Sequence, residues 1–131
     1  VHRIDLTTFA DKQISIGSNP RALVLSPDEK TLYATLNHSG QVVALDLERE
    51  KVVRRVVTGK ATRSLALSTD GTALFVVNFF SNSVSKIRTS DFKVTQELKS
   101  CKEPIGITFE ALFQRTWVAC YGGALKIYDN K

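Results

Sequence analysis

The chain has 131 residues, 43% hydrophobic and 24% charged, which is enough for one domain with a core and outside the composition of a disordered chain. Uninterrupted apolar runs stop at five residues, as at 73–77, which excludes a membrane-crossing helix and the core of a signal peptide. Net charge is +5, spread along the chain except for the cluster Lys51, Arg54 and Arg55, so a solvated basic surface is favoured over a dedicated anion-binding one.

The predicted elements are all strands. Residues 1–6 and 13–17 come first. Four strands follow at 22–26, 31–37, 41–47 and 52–58, and four more at 64–68, 73–79, 84–89 and 94–99. The last three fall at 105–109, 116–121 and 124–129. Each is a short run rich in Val, Ile, Leu, Phe and Tyr, with apolar residues at every second position and turn residues at its ends. No window sustains the i, i+3, i+4, i+7 pattern of a helix.

The strands recur in step. Ser26-Pro27-Asp28-Glu29-Lys30 precedes Ser68-Thr69-Asp70-Gly71-Thr72 by 42 residues, and both are tight-turn chemistry. Pro20, Thr62 and Pro104 keep the same spacing, as do Tyr33, Phe75 and Trp117; Gly17 sits 42 before Gly59. A four-stranded unit of this period, with strands a to d, is the blade of a β-propeller. The expected organisation is one all-β propeller segment over 1–131 with about three blades. Residues 1–19 supply strands c and d of a partial blade, 20–61 and 62–103 are blades, and 104–131 is a second partial blade. Propellers close with four to eight blades. The chain begins at Val1 and has no methionine, so it is expected to be an excised piece of a longer propeller, or a half that pairs with a second copy. Open ends would expose apolar faces and strand edges and drive that pairing.

The first blade reads "PRALVLSPDEKTLYATLN" and then "SGQVVALD"; the second reads "TRSLALSTDGTALFVVNFFSNSVSKIR"; the third keeps "PIGITF" and "KIYD". These segments resemble the YVTN β-propeller repeat, related to the lactonase-like and surface-layer propellers, and the likeness covers nearly the whole chain. Glu110-Ala111-Leu112-Phe113 departs from the usual Pro-Asp-Gly turn of that repeat. The WD40 repeat fits less well: there is no Gly-His pair, and Tyr128-Asp129 alone resembles Trp-Asp. The resemblance implies an extracytoplasmic setting.

In a propeller the d–a and b–c loops share one face around the channel. That places Arg21, His38, Lys60, Arg63, Phe79, Phe80 and Tyr121 on or near one rim, with Asn19 and Lys102. Cations beside aromatic rings suit an anionic or single-stranded ligand, since cations hold phosphate while rings stack on bases. The competing reading of Arg21 and Arg63 is packing at the start of each blade. Tyr33, Phe75 and Trp117 are read as packing between blades, with a sugar platform as the lesser reading.

No catalytic constellation emerges. Asp28 and Asp70 belong to a–b turns, and Asp5, Asp46, Asp91 and Asp129 end or follow strand c, where carboxylates bond nearby backbone N–H groups. His2, His38, Cys101 and Cys120 lack metal-ligand spacing, so no metal and no cofactor is expected. Antiparallel pairing could bring Cys101 and Cys120 together; two reduced, partly buried thiols are preferred to a disulfide. The expected function is therefore a non-enzymatic scaffold that binds a protein partner or an anionic ligand on the channel rim. The alternatives are a lactonase-like hydrolase and a binder of single-stranded nucleic acid.

Overall fold

The computed structural model describes residues 1–130, and every regular element in them is a strand. β1 (His2–Ile4) and β2 (Asp11–Gln13) form a two-stranded antiparallel ribbon. β3 (Pro20–Leu25), β4 (Thr31–Leu36), β5 (Gln41–Asp46) and β6 (Lys51–Val57) pair in chain order as a four-stranded antiparallel sheet. β7 (Thr62–Leu67), β8 (Ala73–Asn78), β9 (Ser83–Arg88) and β10 (Lys93–Lys99) repeat that sheet. β11 (Pro104–Glu110), β12 (Arg115–Cys120) and β13 (Leu125–Asp129) make a three-stranded one. The last residue of the expected 104–131 unit lies outside the described residues. Strand β7 packs against both β3 and β11, so the sheets fan out from a line of first strands, as propeller blades do.

Packing between sheets explains why the middle strands read as near-continuous apolar runs. Each middle strand is covered on both faces, so alternate side chains serve different cores. Tyr33, Val42 and Ala44 of the first four-stranded sheet meet Leu65, Leu74, Val76, Ile87 and Phe92 of the second. Ala34, Leu36, Val43 and Leu45 point the other way, onto Ile14 and Ile16. Ala73, Phe75, Val77 and Val84 leave the second sheet toward Val118 and Cys120. Each fully buried Val, Leu, Ile or Phe among them contributes roughly 1.5–3 kcal/mol, so these layers hold the sheets together. Rings repeat the theme, with Tyr33 stacked on Phe92 at 6.0 Å and Phe75 on Phe109 at 5.7 Å. Trp117, at the equivalent place in the last sheet, is only half-buried.

The outer strands β6 and β10 are largely exposed, and each carries a register irregularity, between Ala44 and Leu45 in one pair and between Val94 and Gln96 in the other. Such bulges twist an edge and make it a poor template for further pairing. At the two ends of the stack, apolar side chains stay uncovered. Leu23 and Leu25 are 51% and 46% exposed, and Leu125 and Ile127 are 69% and 50%.

The a–b turns obey their chemistry. Ser26 Oγ donates to Asp28 Oδ1 at 2.6 Å and accepts from the Thr31 N–H at 2.9 Å. Ser68 repeats this with Asp70 at 2.5 Å and the Ala73 N–H at 3.0 Å. In the third sheet Glu110 Oε1 accepts from the Phe113 N–H at 2.9 Å and Gln114 takes a φ of 56°, so the turn closes without Pro-Asp-Gly.

Candidate functional site

Three connections, β4–β5, β6–β7 and β8–β9, converge at one end of the first two blades and enclose a cleft of about 480 Å³. Backbone and side-chain bonds lace them together. The Thr58 N–H donates to Gly40 O at 2.9 Å, the Phe80 N–H to Lys60 O at 3.1 Å, and the Lys60 N–H to Ser81 Oγ at 2.8 Å. Gly40 (φ 63°) packs so tightly that a Cβ there would collide with the Gly59 carbonyl.

A buried polar network lies beneath the cleft. The fully buried Asn78 donates to Ser83 Oγ at 3.1 Å and Ser85 Oγ at 2.9 Å, and its Oδ1 lies 3.3 Å from the Thr62 hydroxyl. Two further bonds stitch the first blade to the second: Thr35 Oγ1 donates to Arg63 O at 2.6 Å, and Asn37 Nδ2 to Thr62 O at 3.1 Å. Satisfied networks of this kind hold loops in one arrangement, because any slip leaves a buried polar group unpaired.

His38, Lys60 and Phe80 of the predicted rim line the cleft together, and all three are exposed. Phe79 and Phe80 are adjacent yet part company: Phe79 is 9% exposed and Phe80 is 68%. The Arg63 guanidinium lies 3.7 Å above the Phe79 ring, and Phe80 meets Phe79 edge-on at 5.1 Å and 67°. Arg63 and Phe79 therefore sit behind the cleft wall and brace Phe80. Arg21 is exposed on β3 and Tyr121 on the β12–β13 turn, both outside the cleft. Asn19 accepts the Asn37 N–H at 3.0 Å through its carbonyl, and Lys102 is exposed on another connection.

The sequence reading did not place the polar lining residues Ser39, Thr58, Ser81 and Glu97, among others, at this cleft. Glu97 comes from the outer strand β10 and accepts from Ser83 Oγ at 2.8 Å. The strand period put it on an outer edge; nothing in the pattern announced that it reaches this end.

Cys101 and Cys120 are joined by a disulfide, with Cα atoms 6.0 Å apart, which corrects the preference for reduced thiols. The irregular pairing at the start of β11 sets Pro104 opposite Cys120, and this brings the preceding connection over the end of β12.

The carboxylates are engaged locally. Hydrogen bonds from the Ser26 hydroxyl and then the Lys30 N–H hold the Asp28 carboxyl below the usual range. Those from the Ser68 hydroxyl, then the Thr72 N–H and hydroxyl, do the same for Asp70. Asp5 is lowered by the Thr8 and Thr7 N–H groups, Asp91 by Arg88, and Glu50 by Lys12. Asp46 Oδ1 accepts from the Glu48 and Arg49 N–H groups, and Asp129 pairs with Arg115. Among the described residues no three His, Cys, Asp or Glu side chains gather as a metal site, and no helix is long and apolar enough to cross a membrane.

Blades of this kind have known counterparts. The subunit beta of hydrazine synthase from Kuenenia stuttgartiensis is 31% identical, over 55% of this chain and 25% of its own. The solved hydrazine synthase of that organism superposes with a TM-score of 0.82 at 28% identity, covering 86% of this chain and 33% of the other. A candidate 6-phosphogluconolactonase from Bacteroides fragilis superposes at 0.81 with 18% identity, over 95% and 38% of the two chains. Virginiamycin B lyase from Staphylococcus aureus gives 0.71 at 16%, over 98% and 47%. The last two show the fold alone, and the chain spans less than half the length of each of these proteins. The family model described as lactonase, seven-bladed β-propeller, matches residues 5–108, and the chain belongs to that family.

Proposed function

We propose that this propeller segment is a non-enzymatic binding scaffold whose loop-face cleft takes an acidic surface of a protein partner. One observation carries the reading: Phe80 stands 68% exposed, braced by Phe79, in a cleft that also holds His38 and Lys60. An exposed ring held rigid costs little entropy to bury, so it is a good anchor, and the Lys60 cation beside it speeds and orients an acidic partner. Glu97 tempers the positive field on one side and would reject a partner docked in the wrong register. That a relative is a subunit of hydrazine synthase supports a role within an assembly. The disulfide supports an extracytoplasmic setting, since such bonds persist where the surroundings oxidise.

Family membership favours a second reading, lactone hydrolysis. In this cleft it would need His38 and Glu97 as its acid and base. The two readings separate experimentally. The scaffold reading expects Lys60→Glu and Phe80→Ala to abolish the complex that the wild-type protein forms. Leu112→Ala, on the opposite end of the blades, should leave it intact. The hydrolase reading expects lactone turnover that falls at least about a hundredfold in His38→Ala and Glu97→Gln. Turnover of that kind would displace the scaffold reading.

A further inference from the structure

The opposite end of the same two blades holds a second cleft, of about 270 Å³, lined by Thr31, Tyr33, Val53, Arg54, Ser90 and Phe92, among others. Its chemistry is unspent. Tyr33 is 8% exposed and its ring stacks on Phe92, yet its hydroxyl makes no hydrogen bond among the described residues. The hydroxyl oxygen opens onto the cleft, where it is free to bond water or a ligand. Arg54 is the second unspent group. Its Nη1 donates to Thr89 O at 3.1 Å and Ser90 O at 2.6 Å, which fixes the guanidinium across the gap between the blades. Neither acceptor is charged, and no carboxylate among the described residues pairs with Arg54. The nearby acids are committed elsewhere: Asp28 to Ser26 and Lys30, and Asp91 to Arg88.

The geometry points to a binding site for a small oxyanion, of the carboxylate or phosphate class, held between the Arg54 guanidinium and the Tyr33 hydroxyl. A pinned guanidinium with free N–H groups is the usual partner of such oxygens, since its fork bonds two at once. The Tyr33 hydroxyl adds a neutral donor to the lining, and the Thr31 hydroxyl adds another. Val53, Ala44 and Phe92 give the cleft an apolar side. Burial, reinforced by the Asp28 charge, pushes the Tyr33 hydroxyl up, so it remains a protonated donor at neutral pH. The cleft, of about 270 Å³, has room for phosphate or a short carboxylate together with water. This site is separate from the loop-face cleft and stands or falls independently of it.

The test uses protein labelled with ¹³C at the tyrosine ring carbon that bears oxygen, which gives three signals, for Tyr33, Tyr121 and Tyr128. Inorganic phosphate, succinate and chloride are titrated in turn at constant ionic strength. A saturable shift of the Tyr33 signal alone, with phosphate or with succinate, is expected, and the stronger of the two names the class. Tyr33→Phe keeps the ring stack and should fold. Phosphate or succinate should stabilise it against heat at about tenfold higher concentration than the wild type. Arg54→Gln should lose the response. An equal shift with chloride, no shift with either oxyanion, or an undiminished response in Tyr33→Phe would overturn the assignment.

Discussion

The Arg63 guanidinium lies 3.7 Å above the centre of the Phe79 ring, and this contact decides which of two adjacent phenylalanines the solvent sees. Arg63 belongs to β7 and Phe79 follows β8, so neighbouring strands of one blade supply the cation and the ring. With Phe79 held inward, Phe80 turns out into the cleft. Phe79→Ala should cost about 3–4 kcal/mol of stability, as buried aromatic truncations do. Phe80→Ala should cost less than about 0.5 kcal/mol, because the ring is mostly in water. Denaturant unfolding of the two variants checks this. Equal losses would mean that both rings are packed.

Gly59→Ala should be among the most damaging single-methyl additions. A Cβ there would come within 2.6 Å of Asn78 Cγ. Asn78 cannot retreat without leaving Ser83, Ser85 and Thr62 short of a partner in a fully buried site. A loss of about 2–4 kcal/mol is expected, with the unfolding midpoint falling accordingly. Gly17 stands 42 residues earlier and lies the same way against Leu36, but its partner is a flexible apolar side chain. It also has a φ of 133°, so Gly17→Ala would suffer through the backbone rather than through a broken network.

Much of this was legible in the sequence because the repeat forces it. Tyr33 and Phe75, read as packing between blades, are buried and stacked, and the strands at 31–37 and 41–47 appear as Thr31–Leu36 and Gln41–Asp46. The first strand of each unit starts earlier than its alternation suggested, at Pro20 and Thr62, because pairing resumes across a register irregularity. At 13–17 the apolar alternation predicts a strand. Ile14 and Ile16 are indeed buried, but the ladder covers only Asp11–Gln13 there, since the side chains pack on the next sheet without a partner strand beyond. The cleft was the hard part. Alternation says nothing about which of Phe79 and Phe80 faces in, and that depends on Arg63. Nor does spacing show that Cys101 and Cys120 meet, because this rests on the bulged start of β11.

Removing the disulfide with Cys101→Ala and Cys120→Ala should lower stability by about 3 kcal/mol, the loop-closure value for a separation of 19 residues. Reduction by dithiothreitol should reproduce the shift in the wild type and leave the double variant unchanged. If reduction has no effect on the unfolding midpoint, the bond does not constrain the chain.

The a–b turns should make the fold acid-sensitive. Asp28 and Asp70 have folded pKa values lowered below 3.8, chiefly by the Ser26 and Ser68 hydroxyls. A lowered carboxyl pKa contributes stability that is present above the unfolded value and is lost as pH falls through the folded one. The loss therefore falls below about pH 4. Stability profiles from pH 6 to pH 2 should be flatter at the acid end in Asp28→Asn and flatter still in the double variant with Asp70→Asn. Profiles parallel to the wild type would contradict the turn assignment.

The central claim, that the loop-face cleft is where a partner docks, is tested most directly by a photo-crosslinking residue placed at position 80 in cells that make the protein, with position 113 on the opposite end as the control. The account predicts one discrete crosslinked partner from position 80 and none from position 113. It also predicts that the yield from position 80 falls at least about tenfold when Lys60 is changed to Glu. Crosslinking from position 113 alone, or from neither position in cells where the protein is found in a complex, would contradict it.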